Sequence, residues 1–370
     1  MHVGTLGRAM ATALAVTALP AAPSPAQQPA PVRAANVILV TLDGLRWQEL
    51  FAGADSALLA DTTTTRDRTA PDRYWRPTPD ERRRSLMPFF WEVIAPEGQV
   101  FGDRPGGGGM RVTNGRKFSY PGYQEMLAGY PDSAIDSNAR TPNPNVTVLE
   151  WLLTRPGLAG HVAVFGTWDV FPFIVNEERS GIPVNAGWEP LVLRQPTPGQ
   201  ALLNTLMETL PRIWEGERYD ALTYQAAREY VIAERPNVLY LALGETDDWA
   251  HEDRYDRYLD AARHGDAFIR DLWQTVQADP RYRHRTALVV TTDHGRGSGR
   301  AGWSRHGASV ADAEWVWAAV LGPDTPARGS RTDVGDATQA QIAATVAALL
   351  GEDYVAAQPR AAPPLPGVVR

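Results

Sequence analysis

Residues 37–42 read Val-Ile-Leu-Val-Thr-Leu and run directly into Asp43. The stretch is apolar except for one Thr, which is typical of a strand that is buried on both faces. Residues 237–243 and 286–292 repeat this pattern, and an aspartate follows each of them within a few positions. In open parallel sheets, ligands bind beyond the carboxyl ends of the strands. The three stretches therefore predict a parallel sheet with carboxylates gathered at one edge.

Strand-like and helix-like segments alternate through the rest of the chain, which favours an α/β fold. We predict a three-layer αβα sandwich with a mainly parallel central sheet. Further strands are expected at residues 161–165 and 313–321. Helices are expected at residues 86–93, 120–128, 146–153, 200–212, 219–233, 255–276 and 341–350.

The two ends of the chain differ in composition from its middle. Residues 1–26 have a weakly basic start, an uncharged stretch rich in Ala, Val and Leu, and then Pro, Ser and Ala, as in a cleaved secretory signal peptide. The apolar stretch is too short to span a bilayer. Residues 27–35 are expected to form a linker, 36–357 one folded domain, and 358–370 a Pro-rich tail on the surface. We therefore expect an exported protein, periplasmic or secreted, without a transmembrane segment in its mature form.

The composition excludes several classes of protein. A chain of 370 residues that is 44% hydrophobic and has 12 Trp can bury a large core. It has no cysteine, so disulfides, thiolate metal sites and a lipid-modified cysteine are excluded. The formal net charge of -7 disfavours binding to nucleic acid. The sequence leaves the oligomeric state open.

The polar residues that follow the predicted strands are of the types that hold divalent metals. Asp247 and His251 are four residues apart, so on a helix they share one face and can bind one ion. Asp248 fits His251 equally well by spacing alone. Asp293 and His294 are adjacent and must diverge, which suits two cations that lie close together. The candidate ligands are Asp43, Asp247, His251, Asp293, His294 and His306. Imidazole mixed with carboxylate favours Zn2+, and Mn2+ also fits.

Ser119 is the candidate nucleophile of this site. It precedes a predicted helix that has Pro121 in its first turn, so its hydroxyl would lie at the positive end of the helix beside free amides. A phosphate is stabilised in such a position. The alternative is that Ser119 is only a helix N-cap. Lys117, the single lysine of the chain, is a candidate substrate contact, and a chance position for that lysine is the alternative.

The order of these motifs resembles the alkaline phosphatase superfamily, and especially its nucleotide pyrophosphatase/phosphodiesterase-like members. The matching motifs, within residues 37–351, are Asp43-Gly44, Ser119-Tyr-Pro-Gly, Asp247-x-x-x-His251, Thr292-Asp293-His294-Gly295 and His306-Gly307. The resemblance implies two metal sites, one of Asp247, His251 and His306, and the other of Asp43, Asp293, His294 and the Ser119 oxygen. It also implies that Asn138 contacts the phosphate of the substrate.

The resemblance implies an exported phosphoric ester hydrolase that uses a serine nucleophile and two divalent metals on a small phosphate ester. It leaves open whether the enzyme is a phosphomonoesterase or a phosphodiesterase. The nucleophile is Ser where those phosphodiesterases usually have Thr, and the stretch between His294 and His306 lacks their long insertion. No Arg follows Ser119 as in true alkaline phosphatases. The resemblance therefore covers the residues of the hydrolytic core, and it does not identify the leaving group of the substrate.

Three other functions fit the sequence less well. A phosphoglycerate mutase-like isomerase shares the ligands, but it needs a second domain inserted after the nucleophile. A sulfatase is disfavoured because the nucleophile motif lacks a Cys and the Arg that follows it. A non-catalytic exported metal-binding protein would have no need of Ser119.

Residues 52–84 and 167–198 lack periodicity and carry polar or aromatic side chains. Two interpretations stay open. The stretches form lids or binding walls over the site, or they pack over the sheet edge without contacting a ligand.

Overall fold

The computed structural model describes residues 1–5, 7 and 33–370. Most of the predicted signal peptide and most of the predicted linker lie outside the described residues. Among the described residues, no helix combines the length and the apolar character needed to cross a membrane. Export therefore stays a prediction. Residues 33–370 lie within one compact unit, Val32–Arg370.

The strands of this unit form one large sheet and one small one. Their bounds are β1 Asn36–Leu42, β2 Gln99–Phe101, β3 Met110–Arg111, β4 Val162–Gly166, β5 Val184–Ala186, β6 Val238–Leu243, β7 Thr286–Thr291, β8 Ala318–Leu321, β9 Gly329–Ser330 and β10 Ala337–Thr338. The large sheet has the order β5-β4-β6-β1-β7-β8-β2-β9, and β3 pairs separately with β10. Strands β5, β4, β6, β1 and β7 are parallel, whereas β8 is antiparallel to both β7 and β2. The mainly parallel central sheet is confirmed.

Helices cover both faces of the large sheet. Their bounds are α1 Trp47–Ala52, α2 Ser56–Ala60, α3 Ala70–Tyr74, α4 Pro79–Leu86, α5 Ala95–Glu97, α6 Ser119–Ala128, α7 Val148–Leu153, α8 Phe171–Ile174, α9 Glu177–Ser180, α10 Pro198–Thr209, α11 Asp220–Glu234, α12 Glu245–His251, α13 Tyr255–Ala278, α14 Gly299–Gly302, α15 Gln341–Leu349 and α16 Tyr354–Ala357. A π-helical turn occupies Phe90–Ile94.

The side chains of β1 alternate between two hydrophobic cores, as the pleat of a strand requires. Ile38 and Val40 pack in one core with apolar residues of α11 and α13. Val37 and Leu39 pack in the other core with residues of α6, α7 and α15. The continuous apolar run in the sequence thus reflects a strand covered on both sides. The predicted three-layer αβα sandwich is confirmed.

One helix has other bounds than predicted, and two local predictions were wrong. A helix was expected at residues 86–93. The structure has a break at Met87, because Pro88 disfavours helical geometry in the residue before it, and residues 88–97 are then helical, with the π-helical turn at Phe90–Ile94. A strand was expected at residues 313–321, but β8 begins only at Ala318, after a turn in which Trp315 N donates to Asp312 O. The tail after residue 357 was expected on the surface, yet Leu365 and Val368 are buried in the second core.

The two aperiodic stretches contain short secondary structure. Residues 52–84 carry α2, α3 and α4, and residues 167–198 carry α8, α9 and β5. The first stretch is fastened to α13, since the backbone amides of Arg66 and Asp67 donate to the Asp256 carboxylate at 3.1 and 2.8 Å. It therefore forms a wall that is held against α13.

Candidate active site

The central strands bring three parts of the sequence to one edge of the sheet. Asp43 directly follows β1, Asp293 stands two residues past β7, and Asp247 lies in the first turn of α12, just past β6. Because β1 lies between β6 and β7, these three carboxylates become neighbours. The sequence predicted this convergence.

His294 is the centre of the resulting cluster. Its side chain is fully buried, and its Nε2 lies 3.3 Å from Asp43 Oδ1 and 3.5 Å from both Asp247 Oδ1 and Asp293 Oδ2. The Ser119 hydroxyl lies 3.4 Å from the same nitrogen. The other ring nitrogen faces the Gly295 carbonyl at 3.0 Å, which holds the ring in place. Ser119 and the ligands of the second implied metal therefore surround one point.

The ligands of the other implied metal lie beside this point. His251 Nε2 is 3.0 Å from Asp247 Oδ2 and 3.0 Å from His306 Nε2. His306 Nε2 is 3.9 Å from Asp247 Oδ1. Asp247 and His251 share one face of α12, as the spacing predicted.

The donor atoms fit divalent metals. Asp43, Asp293 and His294 form one group whose ligand atoms lie within 4.8 Å of one another, and Asp247, His294 and His306 form another. Ligands of a tetrahedral ion with bonds near 2.1 Å are about 3.4 Å apart. In addition, Asp43 Oδ1 and Asp293 Oδ2 are buried without a hydrogen-bond partner among the described residues. Buried carboxylate oxygens are normally paired, so these two match a site that receives a cation.

The ionisation of the cluster is strongly perturbed. Burial and then the charge of Asp43 raise the pKa of Asp293 to about 8. Burial alone would lower the pKa of His294, but the carboxylates of Asp293 and Asp43 raise it to about 9. Burial and the charge of His294 lower the pKa of His306. Groups of opposite and like charge are thus crowded into a space from which water is excluded.

Helix α6 begins at Ser119 and points its first turn at the cluster. The helix packs so closely on the loop after β7 that a Cβ at Gly122 would lie 2.4 Å from the Asp293 carbonyl. Tyr120 N donates to Asn138 Oδ1 at 3.0 Å, so Asn138 lies next to Ser119, and its contact with a phosphate stays a prediction. One first-turn amide is thereby occupied, and Pro121 has none. The helix offers fewer free amides to a phosphate than the sequence suggested.

The structure gives Lys117 a different environment from the predicted one. Its Nζ donates to Glu314 Oε2 at 2.9 Å and to the Val310 carbonyl at 3.1 Å. Its backbone has a left-handed φ of 58°, and its carbonyl lies 3.3 Å from His306 Nδ1. The ammonium is therefore bound by protein groups, and this geometry does not support a substrate contact by the side chain.

Several residues that the sequence did not single out hold the ligands in place. Tyr123, one turn after Ser119, donates its hydroxyl to Asp43 Oδ2 at 2.7 Å. Gln339 donates to the Asp293 carbonyl at 2.7 Å. The i, i+4 spacing of Ser119 and Tyr123 was a usable signal, because both lie on one face of α6. Nothing in the sequence around Gln339 indicated its role.

Arg296 links the three loops of the site. It is fully buried, and it donates to the Gly44 carbonyl at 3.2 Å, to the Ser304 carbonyl at 2.7 Å and to the carboxylate of Asp247. The structure places the guanidinium among backbone carbonyls behind a metal-type ligand.

Asp248 is separated from the candidate ligands, which resolves the choice between the two aspartates. Its carboxyl group is buried, and burial and then the charge of Glu217 raise its pKa well above the usual value. Burial, with the charge of Asp43, raises the pKa of Glu217 to about 7. Glu217 lies in a loop without any recognisable pattern, so no local signal indicates this carboxyl pair.

The fold is similar to several solved structures at low sequence identity. Alkaline phosphatase PafA matches with a TM-score of 0.59 and 9% identity, over 91% of this chain and 99% of that chain. The lipoteichoic acid synthase LtaP from Listeria monocytogenes matches with a TM-score of 0.55 and 12% identity, over 87% and 73% of the two chains. A 2-O GAG sulfatase matches with a TM-score of 0.53 and 12% identity, over 86% and 71%.

These likenesses establish that the chain has the alkaline phosphatase-like fold that the motifs implied. The phosphodiesterase-like subtype stays a prediction. No protein-family model matches the sequence, and no curated protein matches it.

Proposed function

We propose that this protein is an exported, metal-dependent phosphoric ester hydrolase with Ser119 as its nucleophile. The observation that carries the proposal is the position of the Ser119 hydroxyl, 3.4 Å from the same His294 nitrogen that the unpartnered oxygens of Asp43 and Asp293 surround. A metal-binding protein without turnover would need the ligands and not the hydroxyl.

The residues of the site have different roles in the proposed reaction. Asp43, Asp293 and His294 would hold one cation and Asp247, His251 and His306 the other, in a site of the type that Zn2+ or Mn2+ occupies. Bound cations supply Lewis acidity, which lowers the pKa of a hydroxyl and neutralises phosphate oxygens.

Ser119 supplies the attacking oxygen. That oxygen forms a bond to phosphorus while the bond to the ester oxygen breaks, and the product is a phosphoserine and a free alcohol. Water then attacks the phosphoserine, which releases phosphate and restores the hydroxyl. Asn138 accepts from Tyr120 N through Oδ1, so its NH2 group is available to donate to a phosphate oxygen beside Ser119.

The test compares three chromogenic esters on protein whose metal content has been measured. Hydrolysis of 4-nitrophenyl phosphate or bis(4-nitrophenyl) phosphate supports the proposal, and their ratio decides between monoesterase and diesterase. Ser119→Ala should reduce turnover to background while the metal content is unchanged, because the remaining protein ligands still hold both cations. Hydrolysis of 4-nitrophenyl sulfate alone, or of none of the three by fully loaded protein, would contradict the proposal.

The mutase-like alternative receives no support from the fold. The residues between Ser119 and Asp247 build β4, β5 and β6 of the central sheet and the helices that cover it. They are therefore part of the main fold rather than an inserted domain.

A further inference from the structure

A polar cleft of about 470 Å³ opens beside the candidate active site. One side of the cleft comes from the wall formed by residues 52–84, and the other from the loop that leads to His306. The side chains that define its chemistry are Asp61, Arg66, Asp253, Arg300, Ser304 and Arg305.

The cleft is joined to the metal-type ligands by short connections. Asp253 stands two residues after His251, and Arg305 immediately precedes His306. Ser304 Oγ donates to Asp253 Oδ1 at 2.6 Å, so these two segments meet at the floor of the cleft. A molecule bound at His251 and His306 therefore has the cleft as its adjoining space.

The same floor is connected to the buried part of the site. The Ser304 carbonyl accepts from Arg296 at 2.7 Å, and Arg296 contacts the Asp247 carboxylate. Arg305 follows Ser304 directly and precedes His306, so its side chain belongs to the segment that carries a candidate metal ligand.

The two carboxylates of the cleft are already paired with other groups of the protein. Asp61 forms an ion pair with Arg300 and accepts from Thr63 N at 3.0 Å, and Asp253 accepts from Ser304. Arg66 and Arg305, by contrast, are exposed and have no ion-pair or side-chain hydrogen-bond partner among the described residues. Two guanidinium groups that have no such partner among the described residues therefore line a space next to the metal-type ligands.

We propose that this cleft binds a second anionic group, a carboxylate, phosphate or sulfate, on the alcohol part of the substrate. The proposal rests on the proposed function, because it takes the alcohol part to be the leaving group of that reaction. The cleft lies on the His251 and His306 side of the cluster, away from the buried Asp43 and Asp293. An in-line displacement places the departing alcohol opposite the attacking serine oxygen. Guanidinium groups bind carboxylate, sulfate and phosphate with paired, charge-assisted hydrogen bonds.

The experiment measures binding and turnover with matched ligands. Phenyl phosphate is compared with a short series of phenyl phosphates that carry a carboxylate on spacers of increasing length. Binding to metal-loaded Ser119→Ala is measured by calorimetry, which requires no turnover. The test variant adds Arg66→Met and Arg305→Met, and the control adds Arg68→Met, since Arg68 is an exposed arginine of the same wall that does not line the cleft.

The best carboxylated ligand should lose about tenfold in affinity in the double arginine variant, as two partly exposed charge contacts would give. Phenyl phosphate should change less than about twofold in all proteins. With Ser119 intact, the same substitutions should raise KM for the carboxylated ester and leave kcat unchanged. Equal losses for both ligands, or no loss for any member of the series, would overturn the cleft proposal. Failure of the metal-loaded wild-type protein to hydrolyse both phenyl phosphate and bis(4-nitrophenyl) phosphate would overturn the proposed function, and the binding comparison would remain interpretable.

Discussion

Replacing Tyr123 with Phe removes one hydroxyl and nothing else from the support of the candidate metal site. That hydroxyl donates to Asp43 Oδ2 at 2.7 Å, and both side chains are buried. Burial raises the pKa of Tyr123 well above its usual value, and the charges of Asp293 and Asp43 add to this, so the hydroxyl keeps its proton at any working pH. It therefore orients Asp43 permanently.

The magnitude follows from the type of bond. A hydrogen bond to a charged group contributes about 1.5–3 kcal/mol, and residues that orient metal ligands typically affect metal affinity about 10–100-fold. We expect Tyr123→Phe to weaken Zn2+ binding within that range. The affinity is measured by competition with a chromophoric chelator, starting from protein freed of metal by dialysis.

Tyr240→Phe is a matched control. Tyr240 is equally buried, and its ring packs against the same Phe171 that Tyr123 contacts. Its hydroxyl lies 3.1 Å from Thr41 Oγ1 and contacts no candidate ligand. It should lose about 0.5–1.5 kcal/mol of stability in urea denaturation and no metal affinity. Unchanged affinity in Tyr123→Phe, or equal weakening in both variants, would refute the reasoning.

Two further predictions concern the stability of the metal-free protein. The folded-state pKa of Asp293, raised by burial and Asp43 to about 8, and that of His294, raised by Asp293 and Asp43 to about 9, both exceed the unfolded values. The stability that these groups contribute is thus present at low pH, and it is lost as the pH rises through the folded-state pKa values of about 8 and about 9. The free energy of unfolding should fall from pH 6 to pH 9 without metal and fall less with Zn2+ bound, and equal slopes in urea titrations would contradict this. Arg296→Met should cost about 3–5 kcal/mol, because it leaves Asp247 without its buried partner. Arg300→Met, at a side chain that is 70% exposed, should cost less than about 1 kcal/mol, and similar losses for both would argue against the assigned role of Arg296.

The central part of the fold was predictable because its signal is local. Strands β1, β6 and β7 are buried on both faces, so each one is a continuous apolar run that needs no knowledge of its neighbours. Strand β2 has only three residues and is defined by its pairing with β8 and β9, which no local pattern encodes. The tail was misplaced for the same reason, since Leu365 and Val368 are buried by partners far away in sequence.

The candidate site shows the same division. The positions of Asp43, Asp247 and Asp293 just past predicted strands were sufficient to predict that they lie together, because the carboxyl ends of parallel strands meet at one edge of the sheet. The choice between Asp247 and Asp248 was beyond the sequence, since both spacings suit one helical face and only the packing against Glu217 separates them. The burial of Arg296 was not predictable from a local pattern, because it depends on acceptors from three separate segments.

The charge balance of the site links its function to its stability. Arg296 is the buried cation that pairs with Asp247, but Asp43 and Asp293 each keep a buried oxygen without a partner among the described residues. Burying carboxylates close together is costly, and in the metal-free protein Asp293 retains a proton near neutral pH, because burial and the charge of Asp43 raise its pKa to about 8. A cation would replace that proton and reduce the cost, which makes metal affinity part of the free energy of folding. The same two oxygens lie around the nitrogen beside the Ser119 hydroxyl, so the feature that makes the empty site unfavourable is also the one that would place a cation next to the nucleophile.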